Sequence, residues 1–310
     1  GELTQLIKKS LSTLKIAGIR EDNTKEFYAK ILSNSKPHKF YITYPDGHGD
    51  QALIFTRRTN EEKIRFVSIV TNIESGIKDC FGFFEISQFE CDKILERFLR
   101  DEKTVDIPPE SFKTILYNAE TKTIEKNNNN WKLSYEYVCW KNLLLDIDFD
   151  NESISKILHE QILPTKTDNT IIEKLQKMKI SSHWFLDAHY SDEFEELIKE
   201  AKSQHNLDKL INQSIDKVFY PEEKIAWTDK LLMSAYMKYA IGKDDEASII
   251  YGLALDEELK KELYKNILQR SLYEYFMTIK FKKDLNFEQY TDDDIDLKLK
   301  YIEEKWVQNV

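Results

Sequence analysis

Glycine and proline are scarce and unevenly placed. Of eight glycines, four lie between Gly47 and Gly82, and the others are Gly1, Gly18, Gly242 and Gly252. Glycine reaches left-handed or crowded backbone geometry at low cost. The 47–82 stretch is therefore where the backbone is expected to depart from regular structure. None of the six prolines follows Pro221, as a long helical array allows. The three cysteines, Cys80, Cys91 and Cys139, have neither a metal-ligand nor a redox spacing. That pattern predicts free thiols in a reducing compartment. No apolar run approaches the ~20 residues that cross a bilayer, and no signal-peptide pattern is visible. A cytoplasmic location is expected, and a membrane partner is not.

Chemical signatures are missing as well. The chain has no P-loop, no dinucleotide fingerprint, no Gly-x-Ser-x-Gly elbow, no kinase motif set and no paired-cysteine motif. Dense basic stretches are limited to Arg57-Arg58 and 280–283 in a chain of net charge -10. The first reads as a solvated strand end and the second as a helix C-terminus. Nucleic-acid binders usually show a basic face, so a nucleic-acid partner is not expected. No cofactor and no metal are expected either.

What is present is a globular composition. Of 310 residues, 41% are hydrophobic and 12% aromatic, too rich in aromatics for a disordered chain. The length suggests about two domains. Apolar periodicity predicts helices near 3–14 and 24–32. Strand-like segments follow at 39–44, 51–57 and 63–71. In the third, Ile64, Phe66 and Val70 face one way and Val67 and Ile69 the other, so both faces should be covered. Short connections favour an antiparallel meander. Ser87-Gln88-Phe89-Glu90 has capping-box spacing and opens a helix whose buried stripe is read as Ile86, Phe89, Ile94, Leu95, Phe98 and Leu99. Pro108-Pro109 starts another helix, with Phe112, Ile115, Leu116 and Ala119 inward. A polar loop follows at 127–130, and 131–145 reads as helix or extended chain. From Asn151 onward only helical stripes recur, among them 194–201, 207–215 and 295–306. The expected architecture is an α+β domain, residues 1–150, followed by an all-α helical array, residues 151–310.

Within that array, Gly242, Ala247, Tyr251 and Ala254 have the offsets of the turn and second helix of a tetratricopeptide repeat. Ala235 fits the small residue of its first helix. This segment of about 34 residues resembles one such repeat. It departs from the pattern at Lys238, where a tyrosine is expected, and at Leu259, where the closing proline is expected. No second copy is in register. The resemblance implies a closely crossed αα-hairpin and not membership of that family.

Two stretches could carry chemistry. In Asp46-Gly47-His48-Gly49-Asp50-Gln51, the glycines would allow close approach of a ligand to the backbone. Asp46 and Asp50 could hold a cation, and His48 could act as a base. The same residues are what a plain hairpin loop uses. The second stretch is Gly76-Ile77-Lys78-Asp79-Cys80-Phe81-Gly82, read as an irregular loop leaving the third strand. Cys80 with His48 would suit thiol chemistry; beside Phe81 it equally suits a buried small hydrophobe. In a meander, both loops leave the same end of the sheet. Asp46, His48, Asp50, Lys78, Asp79 and Cys80 are thus the candidate site. His183, Asp187 and His189 form a further polar cluster, read as polar tips of a tryptophan-anchored connector, and Asp292–Asp294 as a helix cap.

The leading expectation is a non-enzymatic interaction or accessory protein. Its helical half would offer a surface to a protein or peptide partner. The alternative is a hydrolase or nucleic-acid-processing enzyme with its site at the two glycine-containing loops.

Overall fold

A computed structural model describes residues 24–99, 104–126, 134–166, 168, 170–178, 180, 184, 186 and 204–281. The N-terminal part opens with helix α1 (Thr24–Ser33) and continues through β1 (Ser35–Thr43), β2 (Asp50–Thr59), β3 (Ile64–Asn72) and β4 (Gly76–Ile86). Helix α2 (Gln88–Leu99), strand β5 (Thr104–Asp106) and helix α3 (Pro109–Lys126) follow. The five strands form one antiparallel sheet in the order β4-β3-β2-β1-β5. The expected meander is present, extended by a strand at each edge.

The sheet is apolar on both faces because both are covered. Leu53, Phe55, Val67 and Ile69 join Phe112, Ile115 and Leu116 of α3 in the main core. On the opposite face Ile54, Ile64 and Phe66 pack with Cys91 and Leu95 of α2. The start of α2 is a capping box. The Ser87 amide and hydroxyl donate to the Glu90 carboxylate at 2.8 and 2.7 Å, and these bonds lower the Glu90 pKa. Among the described side chains of the expected stripe, Phe89 is outside, at 67% exposed. At about 100° per residue it lies some 200° round the helix from Cys91, which faces the sheet.

Two further expectations are corrected. The stretch Gly76–Gly82 is not a loop but the first part of β4, and the chain reverses at 73–75 instead. Its glycines serve close packing. A Cβ on Gly76 (φ +79°) would lie 2.0 Å from Thr123 Oγ1, and one on Gly82 would lie 2.8 Å from the Trp140 ring. Arg57 is not a solvated strand end. It is fully buried, and its guanidinium meets Asp146 and the backbone carbonyls of Leu143 and Ser35.

Beyond β5 the described elements are all helical. They are α4 (Tyr135–Lys141, continued by a 3-10 turn, Asn142–Leu144), α5 (Ile154–Gln161), α6 (Ile171–Lys177), α7 (Gln204–Val218), α8 (Pro221–Ala240), α9 (Asp244–Leu255) and α10 (Glu257–Phe281). The α+β-then-helical order follows the sequence pattern. α8 and α9 form an αα-hairpin turned by Gly242 at φ +73°. Ala235, Ala247, Tyr251 and Ala254 are all buried. Lys238 pairs with Glu246 across the turn at 2.6 Å. An extended strap, 162–166, lies over α9, with the Thr165 amide donating to the Ser248 carbonyl. One cluster of buried side chains runs from Tyr28 to Leu272, so sheet and helices share a core. The expected helix at 3–14, the polar loop at 127–130, the stripes at 194–201 and 295–306, Asp292–Asp294 and the His183, Asp187 and His189 cluster lie outside the described residues.

Candidate functional site

The β1–β2 loop is built around Asp46. Its carboxylate accepts the His48 and Asp50 amides, both at 2.9 Å, while its own amide donates to the Asp50 carbonyl at 3.1 Å. This is an Asx-type turn closed on itself. Gly49 has φ +80° and lies against Ile73 and Lys230. The loop is joined to the neighbouring β3–β4 turn. The Ile73 amide donates to the Gly49 carbonyl at 2.8 Å, and Asn72 Nδ2 donates to the His48 carbonyl and the Asp50 carboxylate. Lys78 completes the network with an ion pair to Asp50 at 2.8 Å. Asp46, His48, Asp50 and Lys78 are thus brought together at one end of the sheet.

Asp79 and Cys80 do not join them in a reactive arrangement. The Asp79 carboxylate accepts the amide of Cys80 at 2.8 Å. Cys80 points into the main core and is 6% exposed. Burial, aided by the nearby Glu136 and Asp79 charges, pushes its thiol up to about 12. At neutral pH it is a protonated thiol, not a nucleophile.

The loop is clamped from the helical side. Lys230 of α8 donates to the Gly47 carbonyl at 2.7 Å and sits 3.7 Å over the Trp227 ring. It is 2% exposed, and burial pushes its ammonium down to about 8. Trp184 Nε1 donates to the Pro45 carbonyl at 3.0 Å and packs edge-on against Trp227. The Pro45 and Gly47 carbonyls are therefore occupied by buried donors.

Beside this network lies a cleft that the sequence reading missed. It opens where the ends of β2 and β3 meet α3, the start of α5 and α8, and has a volume of about 140 Å³. Ile73, Ile115, Ile154, Leu232 and Met233 make its floor. Polar groups stand around them: Asn72, which also holds the glycine loop, Asn118, and the Lys122–Asp229 ion pair joining α3 to α8. Asn118 is itself ordered, accepting the Ile154 amide at 3.1 Å and donating to the Thr114 and Glu152 carbonyls. These residues come from five separate segments, and no local pattern marks them. Among the described residues, no group of three His, Cys, Asp or Glu is arranged to hold a metal. No helix among them is long and apolar enough to cross a membrane.

No known protein family, curated protein or solved structure matches this chain.

Proposed function

We propose that this protein is a non-enzymatic, cytoplasmic interaction protein, and that the cleft accepts an apolar anchor side chain from a protein or peptide partner. The observation that carries this reading is the cleft itself: an apolar floor of about 140 Å³ ringed by ordered amides and one ion pair. A cavity of roughly 150 Å³ holds one benzene-sized ring, so the anchor is an aromatic or branched aliphatic side chain. An apolar floor with a few placed polar groups is the usual composition of a binding pocket. The three free thiols support a reducing compartment. The enzymatic alternative has less support. Asp46 is engaged in its own turn, Asp50 is paired with Lys78, and the Cys80 thiol is held protonated.

The test is selection of peptides from a displayed random library on the full chain, with affinities measured by fluorescence anisotropy. Selected peptides are expected to share one aromatic or branched residue. Ser155 is exposed at the mouth of the cleft, so Ser155→Trp should block binding without disturbing the core. His48→Ala and Asp79→Ala should bind as the parent does. Unchanged binding by Ser155→Trp would move the site elsewhere. Turnover of any substrate that is lost in His48→Ala would favour the enzyme.

A further inference from the structure

The two most buried polar side chains of the cleft are not saturated. Gln51 of β2 and Thr71 of β3 line it and are 3% and 2% exposed. They are directly opposed in the β2–β3 ladder, whose register runs unbroken from Asp50 to Arg58. Their side chains therefore leave the same face of the sheet, with Cβ atoms about 5 Å apart. Gln51 Nε2 donates to the Thr43 carbonyl at 2.9 Å and lies 3.7 Å from the Met237 sulfur. A carbonyl partner decides which end of the amide is nitrogen. Gln51 Oε1 is left over, and among the described residues neither it nor the Thr71 hydroxyl makes a hydrogen bond. Neither atom is sealed away as Thr56 Oγ1 is, so each opens on the cleft that its residue lines.

The other amides of the cleft have no N–H to offer. Asn72 engages both of its own, on the His48 carbonyl and the Asp50 carboxylate. Asn118 engages both on the Thr114 and Glu152 carbonyls. The buried polar capacity that remains is thus one acceptor beside one hydroxyl. That pair is matched by a group that donates to the first and accepts from the second. A phenol O–H does both. A phenyl or aliphatic side chain does neither and would cover two polar groups without partners, which costs free energy. Indole only donates, and it is larger than the benzene-sized ring that the cleft holds. A carboxamide could do both, but it would set polar atoms against Ile73, Ile115 and Met233.

We infer that the anchor is a tyrosine of the partner, its ring on the apolar floor and its hydroxyl donating to Gln51 Oε1 and accepting from the Thr71 hydroxyl. This rests on the reading of the cleft as an anchor pocket and adds the polar group that the pocket selects.

The probes are side-chain analogues: p-cresol for tyrosine, toluene for phenylalanine, 3-methylindole for tryptophan, and 4-methylanisole, which keeps the oxygen of p-cresol but cannot donate. Each is titrated into the full chain and followed by amide NMR shifts. p-Cresol should shift the Gln51, Thr71 and Ile73 amides and bind about tenfold more tightly than toluene. 4-Methylanisole should bind no more tightly than toluene. Thr71→Val keeps the side-chain shape and suits a strand. It should cut the lead of p-cresol to about threefold and leave toluene binding unchanged. Should that variant fail to fold, the 4-methylanisole comparison in the parent still decides. Ser155→Trp should block p-cresol. Toluene, 4-methylanisole or 3-methylindole binding in the cleft as tightly as p-cresol would overturn this inference and leave the anchor pocket standing. If none of the four shifts the cleft amides, the anchor pocket itself fails and this inference fails with it.

Discussion

Arg57 and Asp146 form a two-pronged ion pair, with Nη1 and Nη2 of one each 2.7 Å from a carboxylate oxygen of the other. The pair joins the middle of the sheet to the chain just after the 3-10 turn that continues α4. Arg57 is wholly buried, while the Asp146 side chain keeps 35% of its surface.

Asp146→Asn should therefore leave a buried guanidinium without its counter-charge. Breaking a buried pair from one side is strongly destabilising, and here the loss should be about 3 kcal/mol in urea unfolding. Arg57→Met combined with Asp146→Leu removes the uncompensated charge. It should recover only part of the loss, because the Leu143 and Ser35 carbonyls then lack the donor they have in the parent. A loss for Asp146→Asn of under about 1 kcal/mol would place the pair with ordinary surface bridges.

Gly252→Ala is expected to destabilise the chain, against helix propensity. Alanine in a helix is favoured over glycine by about 1 kcal/mol. Here the new methyl would lie 2.0 Å from the backbone oxygen of Thr165. The 162–166 strap would have to lift, straining the Thr165–Ser248 bond. A net loss of about 1–3 kcal/mol is expected from overpacking, read as a lower thermal midpoint. A rise in midpoint would mean that the strap does not cross α9 as described.

Lys230 should make stability depend on alkaline pH. Its pKa falls from 10.5 in the unfolded chain to about 8 in the fold. Between these values the unfolded chain binds more protons, so this group's contribution rises with pH across that window and is absent below it. The full change is worth about 3 kcal/mol. Tyr137 and Cys80, whose pKa values burial raises, act in the opposite direction at high pH. The measurement is therefore the stability of the parent minus that of Lys230→Met, followed from pH 7 to pH 11. That difference should move in favour of the parent as pH rises. A flat difference would mean that Lys230 is hydrated in the fold.

Much of the fold was legible because it rests on local rules. The alternation of Ile64, Phe66 and Val70 against Val67 and Ile69 marks a strand covered on both faces, and the structure supplies α3 on one and α2 on the other. The Ser87–Glu90 box gives the start of α2. Short connections made a meander, and the meander brings the Asp46–Asp50 loop beside the β3–β4 turn. The glycines were a partial guide. At Gly49 and Gly242 they mark positive φ, but at Gly82 the residue is needed because Trp140 lies on the strand. Nothing local distinguishes a glycine that turns the chain from one that admits a neighbour.

The sequence alone thus determined the described helices it marked by periodicity and the first three strands, and roughly how those strands pair, because side-chain periodicity and turn chemistry act over a few residues. β4, read as a loop, and β5 came only from the structure. Only the tertiary structure decided which polar groups became engaged. Arg57 is buried because the chain at 143–146 returns to meet it. Lys230 reaches a carbonyl 183 residues earlier. The cleft exists because Asn72, Asn118, Lys122 and Asp229 converge from distant segments. Burial and pairing depend on what covers a surface, and that covering is set by long-range packing of the whole core.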